Sequence, residues 1–379
     1  MSAGGGASAG ADARASEASV DGRPEPLRTD RLAERLGERE LDALLVTNPV
    51  NVRYLTGFTG TNGVVVLDAD GARTFVTDFR YLDQAEAQLP HAFERVRGRQ
   101  DLLEDAAGLL ADRIGFDDEH LTVKAHRRLG ELVGEGVELV AAGGLVEELR
   151  AVKDAGEVER IARAAALVDE ALSALCERGL AGRSEREVAL TLEHDLGERG
   201  AEGVSFPIIV AGGAHGALPH ASPREESIPA DSLVIVDLGC VVDGYCSDCT
   251  RTFATGPLGT EAAEVYALVL AAQERALDAV RAGAGAREVD AVAREAIVDG
   301  GHGEEFGHGL GHGVGLEIHE RPRLSPLGEG TLAAGNVVTV EPGVYVSGRF
   351  GVRIEDLVVV REDGAEVLSG FPKALVTVE

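Results

Sequence analysis

Two periodicities divide this chain. From about residue 27 to residue 149, short β-branched runs alternate with stretches whose apolar residues recur every three or four positions. Residues 41–47 read as a strand, and the runs Gly63–Asp68 and Arg73–Thr77 flank Asp70-Gly71, a pair suited to closing a hairpin. A charged stretch at residues 150–157, containing Gly156, interrupts the pattern. Beyond it Val158, Ile161, Ala165, Val168, Leu172 and Leu175 fall on one face of a long helix. Ser184 and Glu187 have the spacing of a capping box for the next helix, with Val188, Leu192 and Leu196 turned inward. The run Leu233–Leu238 predicts a strand, and residues 241–253 a return strand beside it. Helices over about residues 260–281 and 287–299 precede further apolar runs at Val337–Val340 and residues 358–360.

At 379 residues the chain is long enough for two cores, and the charged stretch marks the division between them. Residues 1–26 are rich in Ala, Gly and Ser without any period, which predicts a disordered tail. They lack the basic segment and apolar core of a secretory signal, and no apolar run approaches membrane-span length, so a cytoplasmic protein is expected. The 65 acidic residues against 36 basic ones give a net charge of −29, which argues against nucleic acid or an anionic membrane as a partner. Only Lys124, Lys153 and Lys373 are lysines. Acidity with so little lysine resembles the proteins of extreme halophiles, where molar salt shortens the Debye length to about 3 Å and removes most self-repulsion. Cys176, Cys240, Cys246 and Cys249 suggest no disulfide framework in a chain of this length. The C-x-x-C at Cys246 and Cys249 has no second pair to complete a zinc site, so the thiols read as packing residues.

Polar residues inside the apolar runs carry the chemistry. Asp237 interrupts Leu233–Leu238 ahead of Gly239, and Asp248 falls within the predicted return strand. Glu341 follows Val337–Val340 ahead of Pro342-Gly343, and Glu355 lies between Arg353 and the run at residues 358–360. Asp is depleted in strands and rarely buried unpaired, so carboxylates at apolar strand ends imply a counter-charge. Singly, each has an ordinary reading: Asp237 as a turn former, Glu355 as the ion-pair partner of Arg353, His312 as a loop histidine in a flexible Gly-His-Gly. Together, four carboxylates and the His312 imidazole form an oxygen-rich donor set for two divalent metal ions. Mn²⁺ or Co²⁺ is preferred, and Zn²⁺ or Fe²⁺ is compatible.

The segments V-I-V-D-L-G around Asp237, D-G-Y-C-S-D-C-T-R-T-F around Asp248, G-H-G-L-G-H-G-V-G-L-E-I-H-E around His312 and His319, V-V-T-V-E-P-G-V-Y around Glu341 and G-V-R-I-E-D-L around Glu355 occur in that order. In that order they resemble the motifs of the pita-bread metallopeptidases, the family of methionine aminopeptidase, aminopeptidase P, prolidase and creatinase. N-V-R-Y-L-T-G-F at residues 51–58 and T-D-F-R-Y at residues 77–81 are similar to the creatinase-type amino-terminal domain. The resemblance implies an α/β (α+β) architecture, with a creatinase-like N-terminal domain at residues 27–149, a pita-bread metallopeptidase domain at residues 150–379, and a homodimer. It implies that Asp237 chelates one metal, His312 and Glu341 the other, and that Asp248 and Glu355 bridge the two. The nucleophile is then a hydroxide shared by the metals. His220, in A-L-P-H, and His319 match the family's substrate-facing histidines, and Glu341 the group that shuttles a proton to the leaving amine. His308, Tyr345 and Arg353 belong to the supporting wall of the substrate pocket.

The creatinase-like first half together with G-L-E-I-H-E-R-P at residues 315–322 resembles the Xaa-Pro peptidases more than methionine aminopeptidase. The expected substrate is therefore a peptide with proline in second place. Arg323, four residues past His319, sits where some archaeal-type prolidases carry a group that reads the carboxylate of a dipeptide, whereas Leu327 occupies a position where other prolidases carry arginine. Dipeptidase and aminopeptidase both remain open on these residues. Two rival readings share the fold: a creatinase-like hydrolase that uses no metal, and a non-catalytic pita-bread binding protein. The complete five-residue set argues against both.

Overall fold

The computed structural model describes residues 28–378, so the expected tail at residues 1–26 lies outside the described residues. The chain divides into two compact units between Leu145 and Val146, four residues ahead of the division expected at residues 149 and 150. Arg150 and Lys153, both in the second unit, are tied by ion pairs to Glu320.

In the first unit a six-stranded sheet runs in the order Glu94–Arg97, Arg73–Thr77, Gly63–Asp68, Ala43–Val46, Arg113–Phe116, Glu138–Ala141. The three central-left strands pair antiparallel, and the remaining strands add in parallel. Parallel addition needs crossovers, which the helices Leu82–Gln88 and Val123–Leu132 help to supply. The hairpin at Gly63–Asp68 and Arg73–Thr77 has its expected bounds, with Gly71 at φ 92° and the Asp70 carboxylate accepting the Ala72 N–H. The strand expected over residues 41–47 shortens to Ala43–Val46. The Leu41 N–H returns to Leu36 O, and the Thr47 N–H turns aside to the buried Asp117 carboxylate.

The second unit opens with the helix Ala155–Arg178, which buries Ile161, Ala165, Val168, Leu172 and Leu175 as its period requires. Asp154 and Glu157 form a reciprocal capping box there, each carboxylate accepting the other's backbone N–H. At the helix Glu185–Glu198 only half of the expected box forms: Ser184 Oγ accepts the Glu187 N–H, while the Glu187 carboxylate is taken by Arg183. Leu233–Leu238 lies antiparallel between Ile209–Gly212 and Cys249–Ala254 and is buried throughout, which explains an apolar run without alternation.

The single return strand expected over residues 241–253 is instead a hairpin and a strand. Cys240–Val242 pairs with Tyr245–Cys246 across Asp243-Gly244, whose positive φ values of 49° and 81° close a tight turn, and Cys249–Ala254 follows. Asp248 therefore stands in the short link between them and not on a strand. A five-stranded antiparallel sheet, ordered Glu320–Leu324, Gly311–Gly313, Val337–Val340, Asp356–Arg361, Gly364–Val367, completes the site's framework with the ribbon of Gly343–Val346 and Phe350–Arg353. The helices Thr260–Ala279 and Ala286–Asp299 cover it, packing Val269, Ala276, Ala293 and Ile297 against Val338, Val340, Val358 and Val360. Cys240, Cys246 and Cys249 are buried free thiols, in keeping with a packing role. Among the described residues, no helix is long and apolar enough to cross a membrane.

Candidate metal centre

The strand ends converge. Asp237 stands opposite Thr250 in the sheet register, two residues from Asp248, and the Glu355 N–H donates to Thr250 O at 3.1 Å. Ligand oxygens of Asp237, Asp248 and Glu355 consequently lie within 4.8 Å of one another, and all three residues are buried. Glu341 leaves the end of Val337–Val340 with its N–H on Leu310 O at 2.8 Å and its carboxylate on Thr339 Oγ1 at 3.1 Å. His312 Nε2 approaches Glu341 Oε1 at 3.3 Å and Asp248 Oδ2 at 3.6 Å. All five predicted ligands thus meet in one place. The glycines around His312 serve close packing and not flexibility: a Cβ at Gly311 would come within 2.0 Å of Thr339 O, and one at Gly313 within 2.2 Å of Arg321 O.

This arrangement is unfavourable without a cation. Burial raises the pKa of Asp237, with the Glu341 charge adding to it and the Arg353 guanidinium opposing. Asp248 is pushed well above the usual carboxylate range by burial and by Glu355, Asp237 and Glu341, and Glu355 by burial, Glu341 and Asp237. Glu341 goes the other way: burial alone would raise it, but the hydrogen bond and charge of His312 bring it down to about 2. The His312 imidazole is correspondingly raised, the pull of Glu341 outweighing its burial. Asp237 Oδ1 and Glu355 Oε1 are buried with no hydrogen-bond partner, although most buried polar atoms find one. Orphaned oxygens in a carboxylate cluster are what bound cations satisfy. His312 Nδ1 bonds to Gly313 O at 3.0 Å, which fixes the tautomer that leaves Nε2 on the carboxylate side.

The cluster forms one wall of a cavity of about 700 Å³, with Asp237, Asp248, His312 and Glu341 on it. His220, His308, His319, Arg323, Tyr345 and Arg353 also line it, so every residue expected to face substrate borders the same space. The rings of His312 and His319 meet edge to face at 4.4 Å. Apolar surface comes from Phe206, Pro207, Ile209 and Ile318. The supporting residues form a chain: Arg353 Nη1 donates to Tyr345 Oη at 2.7 Å, Tyr345 to His308 Nε2 at 2.9 Å, and His308 Nδ1 to Gly309 O at 2.7 Å. Arg353 also donates to Asp237 Oδ2 at 2.7 Å, Thr250 Oγ1 and Pro219 O. Its guanidinium borders the cavity and, through these bonds, orients Asp237.

Residues 159–362 match the family described as Metallopeptidase family M24, and residues 28–152 match the Creatinase/Prolidase N-terminal domain. This chain belongs to metallopeptidase family M24. An Xaa-Pro dipeptidase from Bacillus anthracis superposes with a TM-score of 0.90 at 38% identity, covering 93% of this chain and 99% of that one. An X-Pro aminopeptidase from Thermotoga maritima does so with a TM-score of 0.83 at 36% identity, covering 91% and 99%. An uncharacterized peptidase of Bacillus subtilis is 36% identical over 92% of this chain and 99% of its own. The fold is accordingly a creatinase-type amino-terminal domain followed by a pita-bread M24 domain, and this M24 chain is related to prolidases and Xaa-Pro aminopeptidases.

Several supporting groups were not singled out from the sequence. Thr250 Oγ1 donates to Glu355 Oε2 at 2.8 Å while accepting from Arg353 Nε at 3.0 Å, linking Glu355 through Arg353 to Asp237. Arg251, fully buried, donates to Glu355 O, to Phe371 O and to Asp356 Oδ1, and Asp356 also receives Gln273 and Lys373. A charged residue inside the apolar strand Cys249–Ala254 was the available signal, because buried arginine demands partners.

Proposed function

We propose that this M24 peptidase hydrolyses Xaa-Pro bonds, with Asp237, Asp248, His312, Glu341 and Glu355 holding two divalent ions, Mn²⁺ or Co²⁺ first among them. The observation that carries the reading is the convergence of these five side chains, with two orphaned buried oxygens, on a cavity that also presents His220, His319 and Arg323. Two cations in such a donor set polarise a carbonyl and make water nucleophilic at neutral pH. The chain's own residues do the rest. Glu341, held ionised, accepts the proton released as water adds to the carbonyl carbon and returns it to the proline nitrogen as the C–N bond breaks. His220 and His319 donate hydrogen bonds to the carbonyl oxygen as it gains charge. Arg323 reads the carboxylate of a dipeptide, and the apolar wall takes the proline ring.

The same reading assigns residues 27–149 to the amino-terminal domain, and a homodimer, the cytoplasm and a salt-rich medium to the protein, the last supported by the net charge of −29. The test is turnover of Ala-Pro, Ala-Pro-Ala and Ala-Ala with Mn²⁺ or Co²⁺ at high salt. Cleavage of either proline peptide with Ala-Ala resistant is the expected result. Equal cleavage of Ala-Ala removes the proline preference.

A further inference from the structure

The turn at residues 314–319 joins Gly311–Gly313, which carries His312, to Glu320–Leu324, which His319 immediately precedes. Glu320 folds back inside that turn. Its Oε1 accepts the Glu317 N–H at 3.1 Å, and its carboxylate fills the space beside Gly315, where a Cβ would come within 2.5 Å of it. Two cations hold it from the far side: Arg150 Nη2 at 2.6 Å from Oε1 and Lys153 Nζ at 3.0 Å from Oε2. The side chains of Arg150, Lys153 and Glu320 are only 2%, 1% and 5% exposed. Lys153 is itself anchored, its N–H donating to Gly335 O at 2.9 Å, just ahead of Val337–Val340. Burying three charges costs desolvation, and apolar residues of similar volume are commonly as stable in such places. Stability alone therefore does not account for the cluster. None of the three lines the cavity, so any effect on the reaction passes through the turn.

We propose that Glu320, clamped by Arg150 and Lys153, is a positioning residue that holds His319 against His312 and thereby sets the turnover rate. The inference rests on the reading of His319 as a substrate-facing group. The clamp fixes the turn from inside, so its loss lets the His319 ring swing away from the carbonyl oxygen while the metal ligands stay in place. The expected signature is a fall in kcat without a comparable rise in KM and without loss of bound metal.

The test is a double-mutant cycle on the metal-loaded full chain, with Ala-Pro as substrate. Glu320→Gln should lower kcat by about tenfold to a hundredfold, as loss of a supporting group typically does, with KM within about threefold and metal per chain unchanged. The Glu320→Gln, His319→Ala double variant should be no slower than His319→Ala alone, within about twofold, because both changes remove the same interaction. Lys153→Gln should follow the same pattern and takes the place of Glu320→Gln should that variant not fold. Multiplying effects, or a lowered Tm with kcat unchanged, would overturn the inference and make the cluster purely structural. If His319→Ala itself leaves kcat unchanged, the reading of His319 fails first and the inference falls with it.

Discussion

Replacing Asp248 by Asn separates charge from shape at the centre of the site. Ligand oxygens of Asp237, Asp248 and Glu355 lie within 4.8 Å, so at an effective dielectric constant of about 20 each ionised pair repels by at least about 3.5 kcal/mol. The metal-free protein relieves this by holding protons, which is why Asp248 and Glu355 are both raised well above the ordinary range. A carboxyl whose folded pKa is raised gives stability that is fully present below its unfolded value, near 4, and is lost as pH rises through the folded value. Each proton the folded protein retains and the unfolded chain has lost makes metal-free stability fall by up to about 1.4 kcal/mol per pH unit. Asp248→Asn holds one fewer, and the forces on Glu355, which are burial, Glu341 and Asp237, persist. Its slope should therefore be shallower by up to about 1.4 kcal/mol per pH unit. The assay is urea unfolding in EDTA at fixed ionic strength, from about pH 5 to about pH 9, across the range where raised carboxyls titrate. Parallel slopes for the two proteins, or a variant less stable than wild type throughout, would refute the reasoning. With Mn²⁺ bound, wild type should lose this slope and the variant should have no activity.

Arg353→Met removes the guanidinium that orients Asp237, and metal affinity should weaken by about tenfold to a hundredfold, measured by competition with a chelator of known affinity. Unchanged affinity would show that Arg353 serves substrate after all. Arg323→Ala should weaken kcat/KM for Ala-Pro by roughly 1.5 to 3 kcal/mol, the worth of a charge-assisted hydrogen bond, and leave Ala-Pro-Ala nearly unaffected. Equal loss on both peptides would exclude a carboxylate-reading role. The net charge of −29 predicts that folding and activity need roughly molar KCl. Full stability at about 50 mM salt, where charges are weakly screened, would exclude the halophilic reading.

The ligand set was legible because carboxylates at the ends of apolar strands break a strong pattern: Asp237 and Glu341 stand out within and after buried runs. Asp243-Gly244 carried the signal of the hairpin that splits the return strand, yet the surrounding apolar residues suggested one continuous strand. The partners of these ligands were hidden for a different reason. Arg150 and Glu320 are separated by 170 residues, and Arg251 and Asp356 by 105, so neither pairing has any local period or spacing. Arg353 was visible as a charged neighbour of Glu355, but only the fold turns its fork toward Asp237 and Tyr345. The charged stretch at residues 150–157 reads from sequence only as a division between two cores, because the partner of Arg150 and Lys153 lies on a distant turn.

The central claim is a two-metal site, and metal content measured alongside turnover tests it most directly. Purified wild type, stripped and then dialysed against Mn²⁺, should hold about two ions per chain and cleave Ala-Pro, whereas Glu355→Ala should hold fewer and be inactive. Full turnover from stripped protein free of metal, or from Glu355→Ala, would contradict the account.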